Sequence, residues 1–207
     1  MSDDDNKADG ELEAAWEDVI RAFVAIKLPS EVKELLRAIQ TGLDRGFRGV
    51  SWVKPESIHL TLKFLGEIDD AKVRAVAGEL QKAAQGIGPF RVELEGVGSF
   101  PNARAPRVVW AGIRENAELT RLQKSVDERL SSIGFEPEDR PFTPHLTLCR
   151  IKSAEDGRSL GRLLSETAPE AQAAFPVSSF AFMKSVLKPS GAEYTTIQEF
   201  ALPAQNN

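Results

Sequence analysis

The string His-Leu-Thr-Leu occurs twice, at His59 to Leu62 and at His145 to Leu148, and it contains the only two histidines among 207 residues. Side chains alternate faces along a strand, so His59 shares a face with Thr61 and His145 with Thr147, while Leu60, Leu62, Leu146 and Leu148 point the other way. Each copy therefore asks for an apolar layer behind it and an open polar face in front. The copies lie 86 positions apart, each after a strand-helix unit, which predicts two lobes about a central cleft. Outside the motifs no residue-level similarity links the halves, so the repeat rests on the motifs alone. One H-x-T segment is ordinarily just a strand, and duplication of a structural strand would also give two.

The rest of the chain reads as α+β with antiparallel pairing. Arg21 to Leu28 has the β-branched and aromatic content of a buried strand, and Pro29-Ser30 opens a helix with Val32, Leu35, Leu36, Ile39 and Leu43 at helical spacing. Ile58 to Leu65 is a strand ended by Gly66, after which Asp69 or Asp70 caps a helix through Ala84. Arg91 to Gly96 and Arg107 to Ile113 are strands, Asn116 starts a third helix that ends near Gly134, and 153–170 is a polar helical connection. Val177 to Leu187 and Tyr194 to Leu202 close the chain as two strands around a Pro189-Ser190-Gly191 turn.

The apolar runs fall far short of the roughly 20 residues of a membrane helix, and the acidic N-terminus has no signal-peptide pattern. With Cys149 the single cysteine, neither a disulfide nor a thiolate metal site is available within the chain. A reducing cytoplasmic setting fits. The formal charge is −5, but a run of Asp and Glu against one lysine fills residues 1–18. That segment reads as a disordered acidic tail, with room for a short helix through Trp16, ahead of one bilobal domain at 19–204. The body is then near neutral, without the clustered Lys and Arg of a duplex-binding track. An RNA terminus or a nucleotide is the partner of the right size.

Two imidazoles converging on one cleft suit phosphodiester chemistry. One neutral ring takes a proton from water while one charged ring gives a proton to the leaving oxygen, and an unperturbed pKa of about 6.5 serves both roles. Threonine hydroxyls hold the non-bridging oxygens as their charge grows. Zinc is the poorer reading, because neither motif supplies further ligands at the usual spacing.

The segments RAFVAIKLP (21–29), WVKPESIHLTLKFLGEI (52–68), PRVVWAGI (106–113) and RPFTPHLTLCR (140–150) together resemble the two-histidine phosphoesterases, specifically the RNA 2′,3′-cyclic phosphodiesterases once described as 2′-5′ RNA ligases. The resemblance runs from about Arg21 to Leu202. It implies a bilobal α+β fold with a pseudo-twofold axis, two antiparallel sheets flanking a cleft, and helices outside. The implied reaction is cofactor-free hydrolysis of an RNA or nucleoside 2′,3′-cyclic phosphate to a 2′-phosphomonoester by a monomer. His59 is then the proton donor, His145 the proton acceptor, and Thr61, Thr147 and Arg150 substrate-binding residues. The acid and base roles interchange for a reaction run toward ligation. The alternatives are a 2′-5′ RNA ligase or phosphodiesterase using the same groups, and a non-catalytic nucleotide-binding module on the same fold.

Several residues near the motifs read two ways. Strict alternation from His145 puts Arg150 on the leucine side unless the strand bulges, and it puts Cys149 on the His145 face, there as a small packed side chain. Lys63 falls on the His59 face as a weaker phosphate contact, while Phe142 and Trp52 are either core aromatics or base-stacking surfaces. The acidic N-terminal segment departs from the family, whose first strand usually begins the chain.

Overall fold

A computed structural model describes residues 19–188 and 191–204. The expected acidic tail and most of the Pro189-Ser190-Gly191 turn lie outside the described residues. The elements in chain order are β1 (Ile20–Lys27), α1 (Ser30–Leu43), β2 (Val50–Trp52), β3 (His59–Ile68), α2 (Asp70–Ala83), β4 (Phe90–Phe100), β5 (Val108–Ile113), α3 (Ala117–Ser131), β6 (His145–Ile151), α4 (Ala154–Thr167), β7 (Ala174–Val177), β8 (Ser179–Lys188) and β9 (Gly191–Ala201). A 3₁₀ turn at Pro55–Ser57 precedes β3.

The strands form two antiparallel sheets, one in the order β3-β1-β8-β9 and the other β2-β6-β5-β4-β7. Each motif strand belongs to a different sheet, and β3 and β6 approach each other between the lobes. The lobes are not successive halves of the sequence. Short β2 joins the second sheet, and the β8-β9 hairpin returns to the first. The apolar run expected as one strand from Val177 is divided at Ser178: β7 pairs with β4 in one sheet, and β8 pairs with β1 in the other.

Helices pack where their apolar stripes require it. α1 buries Val32, Leu36, Ile39 and Leu43, and α3 buries Leu119, Leu122, Val126 and Leu130. Asp69 caps α2 by accepting from the Lys72 amide at 2.8 Å, and Asn116 caps α3 by accepting from the Leu119 amide at 2.8 Å. One hydrophobic cluster runs behind both sheets and includes Leu60, Leu62, Leu146 and Leu148. Phe142 and Trp52 are half-buried and pack against it, Phe142 with part of its ring left open to the cleft.

Candidate active site

The two imidazoles are held in the same way. Nδ1 of His59 lies 2.8 Å from the carbonyl of Ser57, and Nδ1 of His145 lies 2.8 Å from the carbonyl of Thr143. A carbonyl only accepts, so Nδ1 carries the proton in each ring and Nε2 is left for the cleft. Their surroundings differ. His59 stacks on Phe23 at a centroid distance of 4.6 Å and meets Tyr194 edge-on at 5.0 Å. His145 meets Phe100 edge-on at 5.2 Å, with Trp110 at 6.4 Å behind it. Trp110 packs against Gly98, where a Cβ would stand 2.3 Å from the indole, so only glycine lets the ring settle there. Burial pushes the His59 pKa below the ordinary imidazole value, and the hydrogen bond to Ser57 offsets part of that.

Both motif strands bulge at the same place, the third residue after the histidine. Leu62 is the extra residue of β3 against β1, where Val24 pairs with Lys63 and Ala25 with Thr61. Leu148 is the extra residue of β6 against β5, where Val109 pairs with Cys149 and Trp110 with Thr147. A bulge reverses the facing of the residues after it. Cys149 is therefore fully buried behind the sheet, with its thiol pushed up to about 12 by burial, rather than on the His145 face that strict alternation gave it. Arg150 emerges on the cleft side. The Gln40 amide, on α1, donates to the Leu148 carbonyl at 2.9 Å and to that of Val53 at 2.7 Å, fixing the bulge from behind.

The same shift in β3 corrects the reading of Lys63, which turns inward and is only 4% exposed. Its ammonium pairs with Asp127 of α3 and donates to the Glu136 carbonyl at 2.7 Å. Lys63 thus ties the first motif strand to the segment leading into the second, and it borders the hollow beside His145 with its charge already taken up by Asp127. Phe64 takes the cleft face instead, 64% exposed.

The cleft is divided into two hollows that share Phe64. One, of about 430 Å³, is lined by His59, Arg150, Arg21 and Tyr194; the other, of about 850 Å³, by Thr61, His145, Arg107 and Arg140. Thr147 lines neither; it pairs with Trp110 beside His145. Among the described residues the hydroxyls of Thr61 and Thr147 have no protein hydrogen-bond partner, and Arg107, Arg140 and Arg150 have no carboxylate partner. Within the same residues no three of His, Cys, Asp or Glu gather as a metal-ligand set, and no helix is long and apolar enough to cross a membrane.

Sequence reasoning missed Phe64, Tyr194 and Gln40. Phe64 left a signal, since it stands five residues after His59 as Arg150 stands five after His145. Tyr194 and Gln40 left none, because their roles depend on strands and helices far away in the chain.

Comparison with known proteins places the fold. The model of the family described as LigT like phosphoesterase matches residues 26–110 and 112–194. A Methanothermobacter thermautotrophicus protein named RNA 2′,3′-cyclic phosphodiesterase is 34% identical over 183 residues, covering 88% of this chain and 99% of its own length. A protein of the same name from Archaeoglobus fulgidus is 36% identical over 87% of this chain and 99% of its own. Among solved structures, a Thermus thermophilus protein superposes with a TM-score of 0.77 at 33% identity, covering 90% of this chain and all of that one. Escherichia coli LigT complexed with 3′-AMP superposes with a TM-score of 0.73 at 26% identity, covering 89% of this chain and 99% of that one.

Proposed function

The chain belongs to the LigT like phosphoesterase family, and from that premise we propose that it hydrolyses 2′,3′-cyclic phosphate ends of RNA to 2′-phosphomonoesters by metal-independent acid and base catalysis. The observation that carries this reading is the mirrored pair of imidazoles, each with Nδ1 on a carbonyl two residues earlier and Nε2 free. Nε2 of His145 takes a proton from water as the water oxygen attacks phosphorus. The bond from phosphorus to O3′ breaks, and Nε2 of His59 delivers its proton to O3′. Thr61, Thr147 and Arg150 bind the phosphate oxygens; an arginine without a carboxylate partner suits that role. Phe64, a planar ring exposed beside the His59 site, offers the terminal base a stacking surface.

Residues 19–204 act as one unit in this reading. Both histidines lie on one chain, so a monomer suffices, and a cytoplasmic setting suits its RNA substrate. Purified protein in excess EDTA is expected to convert adenosine 2′,3′-cyclic phosphate to 2′-AMP, followed by phosphorus NMR. A requirement for added divalent metal would rule out the imidazole-only mechanism, and 3′-AMP as product would reverse the leaving oxygen. Nucleotide binding without turnover would leave a binding module.

The pH profile of kcat/KM is set by the unequal surroundings of the rings. With one ring charged and one neutral in the reactive form, activity falls when both are charged and when both are neutral. Because burial lowers the His59 pKa, the acid limb is expected below about 6.5. Tyr194→Ala admits water to His59 and moves that limb upward. An acid limb at pH 7 or above, or one that ignores Tyr194→Ala, contradicts His59 as one of the two titrating groups.

A further inference from the structure

The hollow beside His145 is about 850 Å³, against about 430 Å³ for the one beside His59, and a single cyclic phosphate does not fill both. Phe64, Phe100 and Phe142 give its walls apolar aromatic surface. With Lys63 paired to Asp127, its charged lining is Arg107 and Arg140 against Glu138, an excess of one positive charge. Both arginines are exposed, and neither has a carboxylate partner among the described residues.

The backbones that carry them are anchored. The Arg107 amide donates to the Phe100 carbonyl at 2.7 Å, and its carbonyl accepts from the Ile151 amide at 2.8 Å. The loop before Arg107 lies against α4 at Gly161, where a Cβ would stand 2.0 Å from the Ala103 oxygen. On the other wall, the segment leading to Arg140 is held by Lys63 through the Glu136 carbonyl and by Asp127, which accepts from the Glu138 amide. Two guanidiniums carried on anchored backbones beside aromatic surface match a phosphodiester and the base attached to it.

We infer that this hollow binds the nucleotide preceding the terminal one, with Arg107 and Arg140 on the phosphodiester that joins the two. The enzyme is thereby matched to the ends of RNA chains over free cyclic mononucleotides. The inference rests on the proposed reaction at the neighbouring histidines, and the two fail differently.

The test compares adenosine 2′,3′-cyclic phosphate with the adenylyl dinucleotide ending in the same cyclic phosphate. The unmodified protein is expected to favour the dinucleotide in kcat/KM by about tenfold or more, the scale of charge-assisted phosphate contacts. Arg107→Ala with Arg140→Ala should remove that advantage through KM and leave the mononucleotide rate unchanged. No preference in the unmodified protein, or equal losses on both substrates, overturns the inference. If neither substrate is hydrolysed, the reaction assignment has failed. Calorimetric binding of the dinucleotide ending in a 2′-phosphate then decides: weaker binding by the double variant supports the subsite, and unchanged binding overturns it.

Discussion

Replacing either imidazole by asparagine is expected to lower kcat/KM for a nucleoside 2′,3′-cyclic phosphate by a factor of about 10² to 10⁴, the usual contribution of a positioned acid or base. Asparagine keeps a polar side chain near the Ser57 or Thr143 carbonyl and removes the titrating Nε2. Neither ring is fully enclosed, so both variants should fold, as unchanged circular dichroism would verify. His59→Asn combined with His145→Asn is expected to be little worse than either alone, because groups that act in one proton transfer are not independent. Losses that multiply across the pair, or near-normal turnover in either single variant, would mean that the rings do not act on one phosphate together.

The second large effect concerns stability. Lys63→Met leaves Asp127 with its carboxylate turned into the interior and without its cation, since the side chains of the pair are only 4% and 19% exposed. Removing one partner of a buried pair costs about 3 to 5 kcal/mol, and the partial exposure of Asp127 puts this case near the lower end. A loss of about 3 kcal/mol corresponds to a fall in Tm of roughly 6 to 12 °C for a chain of this size. Adding Asp127→Leu should restore much of it, because a neutral apolar pair carries no desolvation cost. Calorimetry of the three proteins reads this directly. A shift under about 2 °C for Lys63→Met, below the scale of even 1 kcal/mol, would show that the pair contributes nothing to holding β3 against α3.

The helices were legible in the sequence because their signals are local. The stripe of Val32, Leu36, Ile39 and Leu43 and the caps at Asp69 and Asn116 each lie within a few turns. The first three residues of each motif were legible as well, since alternation holds from His59 to Thr61 and from His145 to Thr147. Beyond them it fails, because the bulges at Leu62 and Leu148 depend on partners elsewhere. The Leu148 carbonyl is satisfied by Gln40 and by the Val53 amide, from a helix and a strand end that precede it by about a hundred residues. This is why alternation places Lys63 and Cys149 on the wrong face, and why it leaves Arg150 between two readings. The run from Val177 to Leu187 misleads for a related reason. Its apolar pattern is continuous, but β7 and β8 pair with different sheets, and pairing is not a local property.

The symmetry of the site is closer than the sequence implied. Beyond the shared His-Leu-Thr-Leu, the lobes share the carbonyl acceptor two residues before each histidine and the extra residue three after it. The two sites then diverge at the fifth residue, Phe64 in one lobe and Arg150 in the other. One lobe thus offers a flat apolar surface where the other offers a guanidinium, which fits a ligand with a base on one side and a phosphate on the other.

The division of labour between the rings is tested most directly with a substrate whose leaving atom needs no proton. In a nucleoside 2′,3′-cyclic phosphate with sulfur in place of the 3′ oxygen, the departing thiolate is stable near neutral pH, its thiol having a pKa of about 8.5. Turnover of this substrate by His59→Asn is expected to approach that of the unmodified protein, while His145→Asn stays inactive because water still has to be deprotonated. Equal loss in both variants, or recovery in His145→Asn alone, would contradict His59 as the acid and His145 as the base.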